Sequence, residues 1–554
     1  MTGLDSPTKL GDAGTNQELT DALHRLFGFK QFLPGQEEIV KRVLSHKSTL
    51  AILATGAGKS LCYQLPAMLL EGTTLVVSPL IALMKDQLDM LAQLNVTDAV
   101  ALNSTLSEEQ QEIELARLRT GNVKILLVTP EKLEDDAFIA LLQTLRIPLF
   151  VVDEAHCISA WGHDFRPAYL ALGHAIAALS NPAVLALTAT ATPAVREDIL
   201  QQLGIPETKT IVKGFDRPNL RYEVERAEND AGKFKLLKNL FIDEKLEGAG
   251  IIYATTIKNA LEVREYLQEQ LGVPTVVYHS KLPKHERIAT HELFMSESVR
   301  AVVATNAFGL GIDKPNIRFV IHYDLPGSIE AYTQEAGRAG RDGQPSRCVL
   351  IYRMSDTRVQ NYFLTGKYPD IEEVQTIFAT LEYFQGQVDG VSLNDLRRIS
   401  QLPLTKLKVI LALLKKAKFI EMRSRSRYGL APNAVQNKEL VLNLHHYETK
   451  KAYDQSKLAM MLQYAEGRSC RRRFILNYFG EEYEALNCGM CDNCLRGAQA
   501  SNGSSFHITD IVTHPKFGQG TIERTEKDLV TVLFPTFGYK TLLASAIMHE
   551  TNTA

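Results

Sequence analysis

Short apolar runs alternate with helical stretches twice along this chain, and this pattern limits the possible folds more than any other feature of the sequence. The first set, between residues 20 and 208, comprises Thr49–Leu53, Thr74–Ser78, Lys124–Thr129, Leu149–Asp153 and Val184–Thr188. The second set, between residues 210 and 352, comprises Gly250–Ala254, Thr275–His279, Ala301–Thr305, Phe319–Tyr323 and Cys348–Tyr352. Strands that alternate with helices form parallel sheets covered by helices. The sequence therefore predicts an α/β fold with two tandem parallel-sheet domains.

The chain changes character after residue 352. Ser392 can cap a helix that ends near Ser400, a second helix follows Pro403, and residues 419–423 and 425–430 form two short strands around a turn. This order is typical of a winged helix. Residues 507–546 alternate apolar and polar side chains, as a small β-barrel does. The predicted segments are a flexible tail at 1–19, a first lobe at 20–208, a second lobe at 209–352, a winged-helix-like segment at 353–436, a helical subdomain with clustered cysteines at 437–497, a linker at 498–506 and a small β domain at 507–554.

Bulk composition excludes several classes of protein. Hydrophobic residues make up 45% and charged residues 23% of the 554, which is ordinary for a folded protein. A net charge of −3 argues against a chain that is basic throughout, although it leaves room for local basic patches. Seven cysteines are too few for a disulfide scaffold. Because signal-peptide and membrane-helix patterns are both missing, we expect a cytoplasmic or nucleoid-associated protein without membrane contact.

The segment Ala54–Ser60 (ATGAGKS) follows an apolar run and opens a helix. Backbone N–H groups of such glycine-rich turns close around phosphates. Lys59 would reach the β- and γ-phosphates of a nucleotide, and Ser60 would bind Mg²⁺. The usual first glycine of the motif is replaced by Leu53, so a chance match stays open on this segment alone.

Asp153 and Glu154 stand where the apolar run Leu149–Asp153 ends. The carboxyl ends of parallel strands are where such sheets bind ligands. Asp153 would hold Mg²⁺, and Glu154 would orient and deprotonate the attacking water. A solvated acidic strand end is the alternative.

The segment Gln334–Gly343 (QEAGRAGRDG) brings two guanidinium groups onto one helical face. Arg338 and Arg341 can stabilise charge on a γ-phosphate from a neighbouring domain. Arg341 is the first candidate for an arginine finger, and an ordinary surface pair is the alternative.

Four cysteines lie within 25 residues, three of them in a CxxCxxC pattern: Cys470, Cys488, Cys491 and Cys494. Four thiolates suit a structural Zn²⁺ ion or an iron–sulfur cluster, and the residues alone leave both open.

Two groups of basic residues suit phosphate binding through counterion release. Residues 404–427 contain eight Lys or Arg and one acid, and a predicted hairpin there puts three arginines on one face: Arg423, Arg425 and Arg427. The second group surrounds Cys470: Arg468, Arg471, Arg472 and Arg473. A solvated basic face is the alternative.

Together, these segments resemble the RecQ family of superfamily 2 DNA helicases over roughly residues 20–497. Val76–Gln87, Leu187–Thr190 and Ala304–Asp313 resemble helicase motifs Ia, III and V of that family. The resemblance implies two RecA-like lobes that bind ATP and Mg²⁺, a zinc site at the four cysteines, and translocation in the 3′→5′ direction on DNA.

The resemblance also implies roles for individual residues. Gln36 would contact the adenine with Phe29 stacked nearby, and Gln334 would belong to the catalytic motif. Further ATP-site residues are Thr55, Gly56, Gly58 and Asp313. Residues implied to bind DNA or couple it to hydrolysis are Trp161, His163, Phe165, Arg166, Thr188, Thr190 and Thr305. For the aromatic residues of this set, core packing is the alternative.

The chain departs from the family pattern in three places. Leu33 stands where the family usually has Arg, and the winged-helix-like segment precedes the cysteine cluster instead of following it. The C-terminal stretch, from Val512 onwards, resembles the Tudor-like module that ends some UvrD/PcrA-type helicases, so we expect it to dock a protein partner or contact DNA.

The expected function is that of an ATP-dependent 3′→5′ DNA helicase acting on single-stranded and duplex DNA in repair or recombination. An RNA-dependent ATPase of superfamily 2 is one alternative, disfavoured by the aromatic segment and the cysteine cluster. A non-enzymatic DNA-binding adaptor is the other, disfavoured by intact Lys59, Asp153, Glu154 and Arg341.

Overall fold

The structure, a computed structural model, describes most of the chain. The described residues are 16–79, 81–94, 96–103, 105–159, 166–306, 308, 314–367, 369, 371–385, 390–416, 419–424, 427–431, 445–481, 483–497, 506, 510–526, 529–534 and 537–549. Five of the predicted site residues lie outside the described residues: Trp161, His163, Phe165, Asp313 and Arg425.

The chain divides into two compact units. The first unit comprises Met1–Asp324, Ile329–Tyr352 and Gly467–Ser501, and the second comprises Leu325–Ser328, Arg353–Glu466 and Asn502–Ala554. The helical part and the cysteine-bearing part of segment 437–497 thus belong to different units.

The first lobe is built on a seven-stranded sheet of order β3-β4-β2-β5-β6-β1-β7, in which every pairing is parallel. Its strands are β1 (Thr49–Leu53), β2 (Thr74–Val77), β3 (Ala99–Leu102), β4 (Ile125–Val128), β5 (Leu149–Val152), β6 (Ala183–Thr188) and β7 (Lys209–Lys213). The central strands are buried along their whole length, as expected for strands covered on both faces.

Among the described residues of this lobe, eight helices accompany the sheet: α1 (Asn16–Phe27), α2 (Gln36–Leu44), α3 (Leu61–Leu69), α4 (Ile81–Gln93), α5 (Glu108–Arg119), α6 (Asp136–Gln143), α7 (Leu172–Ala178) and α8 (Pro193–Gln202). Short 3-10 turns cover Pro130–Glu134, Ala155–Ile158 and Pro167–Ala171. Side-chain caps fix several helix starts; Ser107 and Gln110, for example, form a reciprocal capping box at α5.

The second lobe has a six-stranded parallel sheet of order β10-β11-β9-β12-β13-β8. Its strands are β8 (Leu220–Arg226), β9 (Ala249–Tyr253), β10 (Thr275–Tyr278), β11 (Ala301–Ala304), β12 (Ile317–His322) and β13 (Ser346–Tyr352). Its helices are α9 (Asp230–Lys238), α10 (Ile257–Glu265), α11 (Lys284–Met295) and α12 (Ile329–Ala336), with π-helical turns at Asn239–Asp243 and Tyr266–Gln270. The prediction of two parallel-sheet lobes is confirmed.

The second unit begins with helices and a small sheet. Its helices are α13 (Asp356–Lys367), α14 (Ile371–Tyr383), α15 (Leu393–Ser400), α16 (Leu404–Lys416) and α17 (His445–Glu466), and its first strands are β14 (Val391–Ser392), β15 (Ile420–Ser424) and β16 (Arg427–Leu430). Ser392 caps α15 as predicted, because its hydroxyl accepts a hydrogen bond from the Asp395 N–H at 3.1 Å. The three strands form an antiparallel sheet of order β14-β16-β15.

Two short helices carry the cysteine region, α18 (Arg471–Tyr478) and α19 (Asp492–Leu495). A five-stranded antiparallel sheet of order β20-β19-β18-β17-β21 follows. Its strands are β17 (Ile511–His514), β18 (Gly518–Glu526), β19 (Leu529–Phe534), β20 (Gly538–Leu543) and β21 (Met548–His549). Its apolar core includes Val512, Ile522 and Phe534, and Tyr539 of β20 stacks on Tyr453 of α17 at 5.9 Å.

Candidate active site and metal centre

The phosphate loop joins the buried strand β1 to helix α3. Gly56 and Gly58 have φ values of 85° and 67°, a left-handed backbone conformation that favours glycine. The Lys59 ammonium folds back across the loop and lies 3.4 Å from the Leu53 carbonyl oxygen. The loop therefore has the glycine-dependent turn that phosphate binding needs.

Gln36 braces this loop from the start of α2. Its Nε2 donates to the carbonyl oxygens of Ala57 and Gly58, both at 3.0 Å, and its Oε1 accepts from the Leu33 N–H at 2.8 Å. A β-carbon on Gly58 would lie 2.5 Å from that Nε2, so the close approach requires glycine. Phe29, the predicted stacking residue, is 55% exposed. The predicted contact of Gln36 with adenine stays a prediction, and the contact observed is with the phosphate loop.

Asp153 and Glu154 follow β5 at the carboxyl edge of the first sheet. Asp153 is buried, and its Oδ1 accepts the Glu154 N–H at 3.0 Å. Burial raises the pKa of Asp153 to about 7; the neighbouring Glu154 adds to the increase, and Lys59 opposes it. A carboxylate oxygen is the kind of ligand that Mg²⁺ prefers, so Asp153 fits this ion.

Glu154 adopts a left-handed conformation, with φ of 47° and ψ of 47°, which is uncommon for a residue other than glycine. Its Oε2 lies 3.3 Å from Nδ1 of His156, and that nitrogen lies 2.8 Å from the Thr188 hydroxyl. The Thr188 hydroxyl also accepts the Thr190 N–H at 3.2 Å. The acidic segment and the end of β6 are thus connected through His156, which hydrogen-bonds Thr188 and lies within ion-pair distance of Glu154.

The turn after α12 lies against the phosphate loop. A β-carbon on Gly337 would lie 3.3 Å from Cβ of Thr55, and one on Gly56 would lie 3.2 Å from Cγ of Arg341. Arg338 is buried, and its charge opposes the burial that raises the pKa of Tyr253 to about 12. The structure therefore brings Arg341 to the loop that carries Lys59, as the sequence predicts.

Helix α12, which includes Gln334, contacts His322 at the end of β12. Nε2 of His322 lies 2.8 Å from Glu335 Oε2, and the imidazole ring packs on Tyr253 and Tyr332 with centroid distances of 5.4 and 4.9 Å. The pairing of His322 with Glu335 fixes the helix that leads into the turn carrying Arg338 and Arg341, which we call the arginine turn.

Arg217 is a residue of this site that the sequence did not single out, whereas Arg472 was predicted only as one of the phosphate-binding cations around Cys470. Arg217 lies in the connector between β7 and β8, and its guanidinium donates to the Thr55 carbonyl oxygen at 3.0 Å. Arg472 donates to the backbone of the same connector. The one sequence signal that could have pointed to Arg217 was its position in the six-residue connector (214–219) between the two sheets.

The predicted DNA-coupling residues fall in different settings. Arg166 Nη1 donates to the Pro79 carbonyl oxygen at 2.8 Å, which ties it to the segment resembling motif Ia. Thr188, Thr190 and Thr305 are buried, and the Thr188 hydroxyl lies 2.8 Å from Nδ1 of His156.

Several cations of the two basic groups form ion pairs or hydrogen bonds within the protein. Lys406 is buried and paired with Glu373, and Arg423 lies 3.4 Å from Glu421 and 3.3 Å from the Leu430 carbonyl oxygen. Arg427 is half-buried on β16. Arg471 and Arg472 are also buried in protein contacts, which corrects the expectation that all four arginines around Cys470 face phosphates.

The four cysteine sulfurs lie within 4.8 Å of one another: Cys470, Cys488, Cys491 and Cys494. Backbone N–H groups of Cys491 and Arg471 donate to sulfurs of the cluster at 3.3 and 3.4 Å. Hydrogen bonds from neighbouring thiols lower the pKa of Cys488, and the same crowding raises the pKa of Cys470 to about 11. Four convergent sulfurs fit a closed tetrahedral Zn²⁺ site.

Three family models match the chain. They are DEAD/DEAH box helicase at residues 33–199, Helicase conserved C-terminal domain at 232–343 and RecQ zinc-binding at 431–495. Their order, two helicase models followed by a zinc-binding model, is that of a two-lobe helicase.

Curated relatives narrow this class. The chain is 32% identical to the ATP-dependent DNA helicase RecQ of Synechocystis, over 87% of this chain and 99% of that protein. It is 37% identical to the RecQ of Bacillus subtilis over 85% of this chain and 44% identical to the RecQ of Pasteurella multocida over 61%. This chain belongs to the RecQ family of helicases. It spans 66% and 53% of the length of the latter two relatives.

The fold has a further counterpart in a solved structure of Saccharomyces cerevisiae Dbp5, with a TM-score of 0.51 and 20% sequence identity over 63% of this chain and 92% of that chain. In the part of the chain that the structure describes, no helix has the length and apolar character needed to cross a membrane.

Proposed function

We propose that this chain is an ATP-dependent DNA helicase that couples hydrolysis of MgATP to 3′→5′ movement along single-stranded DNA and to separation of duplex DNA. The observation that carries the proposal is the contact between the phosphate loop and the arginine turn, where Gly337 lies beside Thr55 and Arg341 beside Gly56. Two lobes that meet at the phosphates can convert hydrolysis into relative movement.

The residues of the first lobe have separate roles in this proposal. The loop glycines leave backbone N–H groups free to approach phosphates, and Lys59 places a positive charge on the β- and γ-phosphates. Asp153 and Ser60 supply oxygen ligands for Mg²⁺. When held there, the ion would supply positive charge against the phosphate oxygens. Glu154 accepts a proton from the attacking water.

The second lobe supplies cations. Arg341, with Arg338 behind it, stabilises the charge that develops on the γ-phosphate. This charge is greatest in the transition state, so loss of Arg341 lowers kcat more than it weakens nucleotide binding.

DNA and protein contacts complete the proposal. Arg166 and the Glu154–His156–Thr188 connection report DNA occupancy to the hydrolytic carboxylate. The four cysteines hold zinc as a structural ion, and the β domain at 507–554 offers a surface for a protein partner or DNA. We place the protein at the nucleoid, in DNA repair or recombination.

The test is strand displacement on three duplexes: DNA with a 3′ single-stranded tail, DNA with a 5′ tail, and an RNA duplex. Wild-type protein and the Lys59→Ala variant are compared with and without ATP. We expect unwinding of 3′-tailed DNA only, by wild type only, and only with ATP.

Each other outcome supports a different function. Stimulation of ATP hydrolysis by RNA alone would support an RNA-dependent ATPase. DNA binding without hydrolysis, equal in wild type and Lys59→Ala, would support a non-enzymatic adaptor. Unwinding of 5′-tailed DNA alone would overturn the proposed direction.

A further inference from the structure

The connector Gly214–Asn219 joins the last strand of the first lobe, β7, to the first strand of the second, β8. A six-residue connector between two sheets that must move during hydrolysis can be a passive hinge. The contacts of Arg217 show otherwise, because its side chain leaves the connector and reaches both sides of the nucleotide site.

Arg217 donates hydrogen bonds to backbone carbonyls of both lobes. Its Nη1 lies 3.0 Å from the Thr55 oxygen and 3.3 Å from the Gly337 oxygen. Its Nη2 lies 3.0 Å from the Ala339 oxygen and 2.9 Å from the Gly340 oxygen. One guanidinium thus joins the phosphate loop to the turn that carries Arg338 and Arg341. The planar five-donor group suits several carbonyls at once, whereas a lysine ammonium has three donors and no planar fork.

Asn219 reinforces the second half of this contact. Its Nδ2 donates to the Gly340 oxygen at 2.8 Å and to the Gln344 oxygen at 2.9 Å. Gly340 has a φ of 56°, and a β-carbon there would lie 2.4 Å from that Nδ2. The arginine turn is therefore fitted tightly to the connector.

The cysteine region holds the connector from the other side. Arg472 Nη2 donates to the carbonyl oxygens of Arg217, Pro218 and Leu220 at 3.2, 3.0 and 3.2 Å. Its Nε lies 3.4 Å from Asp216 Oδ1. Arg472 is the second residue of α18, a helix whose N-cap is Cys470. The position of Arg472 is therefore tied to the start of the metal centre.

The far end of α18 makes a second contact with the connector. Phe479 stacks on Phe215 with ring centroids 4.4 Å apart and an interplanar angle of 14°. Glu481 accepts the Phe215 N–H at 2.9 Å. Residues at both ends of α18 therefore contact the connector, and these contacts fix the connector backbone at Arg217.

We propose that Arg217 is a positioning residue for ATP hydrolysis, which holds the arginine turn against the phosphate loop, and that the zinc-binding region sets its position through Arg472 and Phe479. This inference rests on the proposed ATPase function. It makes the zinc centre a structural support of the nucleotide site, in addition to any part it has in DNA binding.

The first experiment compares Arg217→Ala, Arg217→Lys and the control Arg221→Ala in the full-length, zinc-loaded protein. Arg221 lies four residues away on β8, and its side chain is 42% exposed and pairs with Glu223 at 3.1 Å. We expect Arg217→Ala to lower kcat for DNA-stimulated ATP hydrolysis on the order of 10²-fold, since small misplacements of catalytic groups cost about that much. Arg217→Lys restores part of the loss, and Arg221→Ala stays within about twofold of wild type.

A second readout separates positioning from damage to the fold. ADP lacks the γ-phosphate that the arginine turn would contact, so its affinity stays within about threefold of wild type in Arg217→Lys. Zinc content also stays at the wild-type level in that variant. If Arg217→Ala does not fold, Arg217→Lys decides the test with the same kcat and ADP measurements.

The link to the zinc region is tested by a double-mutant cycle with Arg472→Met. If both residues act through the connector, the kcat of the double variant is close to that of Arg217→Ala alone. Multiplicative losses would overturn the link. Wild-type kcat in Arg217→Ala and Arg217→Lys would overturn the role of Arg217, whereas absence of ATP hydrolysis by wild type would overturn the proposed function instead.

Discussion

Asp153 carries its carboxyl group in a setting that disfavours charge. Burial raises its pKa from 3.8 to about 7, with Glu154 adding to the effect and Lys59 opposing it. Folding therefore favours the protonated form. The stabilising contribution of that form is complete below pH 3.8 and is lost as the pH rises through about 7.

We therefore expect the free energy of unfolding of the nucleotide-free protein to fall as the pH rises. Between pH 6 and pH 8, wild type loses about 1 kcal/mol of unfolding free energy through this carboxyl group, because one pKa unit corresponds to 1.36 kcal/mol. Asp153→Asn lacks the ionisation and does not show this loss. Urea unfolding of both proteins at the two pH values measures the difference. The control is Asp89→Asn, at an exposed position on α4; a pH dependence of stability that Asp153→Asn leaves unchanged contradicts the assignment.

The second prediction concerns the hydroxyl group of Thr188. Its side chain connects to Glu154 through His156, so Thr188→Val breaks the connection while keeping the shape of the side chain. We expect DNA-stimulated ATP hydrolysis to fall about tenfold, with basal hydrolysis reduced less, because the hydroxyl acts on coupling and not on phosphate binding. Phosphate release with and without single-stranded DNA measures both rates.

Thr74→Val is the matched control for this variant. Thr74 is a buried threonine on β2 of the same sheet, and its hydroxyl has no hydrogen-bond partner among the residues described. Equal losses of basal and stimulated rates in Thr188→Val would remove the coupling role.

Sequence and structure agree best where chemistry requires particular residue types at fixed local spacing. Lys59, Asp153 and Arg341 each lie in a motif whose spacing is local, and the structure brings their segments together. Arg217 could not be found in this way, because its partners are main-chain oxygens at positions 55, 337, 339 and 340. Main-chain oxygens are present in every sequence and leave no pattern. Only the fold determines which of them lie within reach of the connector.

At the scale of whole elements, the strands that the sequence did not predict are all edge strands. β3 and β7 form the two edges of the first sheet, and β8 forms one edge of the second. Central strands are covered on both faces and are therefore apolar throughout, which makes them visible as runs. β8, with the sequence LRYEVER, alternates charged and apolar residues because part of its surface meets solvent. The apolar-run criterion thus predicts every interior strand of the two parallel sheets, but of their four edge strands it predicts only β10.

Helix α18 begins at a buried ion pair. Arg471 donates to Asp492 at 2.9 and 3.0 Å, and both side chains are only 4% exposed. This pair joins the residue after Cys470 to the residue after Cys491. The zinc site is therefore supported by an ion pair next to its ligands.

Asp492→Asn tests this support. Removal of one partner leaves the Arg471 charge buried, at a cost of about 3–5 kcal/mol. We expect a lower midpoint of unfolding of the first unit and faster loss of zinc to a chelator. The control is Glu262→Gln on α10, whose pair with Lys258 is exposed on both sides and contributes less than about 1 kcal/mol. Equal stability of the two variants contradicts the proposed support.

At the scale of the whole molecule, the net charge of −3 conceals an uneven distribution of charge. The structure also shows that a count of cations overstates the basic surface, because Lys406, Arg471 and Arg472 are buried in protein contacts. Sequence reasoning located the basic segment 404–427 but could not tell its exposed cations from its paired ones. That distinction depends on Glu373, which lies 33 residues before Lys406 along the chain.

Lys408 and Lys415 are two exposed cations of helix α16 that are available to bind DNA phosphates. They lie seven residues apart and so share one helical face. We expect the double variant Lys408→Ala and Lys415→Ala to bind DNA more weakly at low salt. The slope of log K against log salt should fall by about one for each lysine, because each phosphate contact that is lost no longer releases about one counterion from the DNA. Fluorescence anisotropy over a salt series measures the slope. Lys258→Ala, at a position on α10 that is 80% exposed, removes one surface charge outside this helix and should leave the slope unchanged. If the double variant keeps the wild-type slope, the phosphates are bound elsewhere on the molecule, and the basic face of α16 is a solvated one.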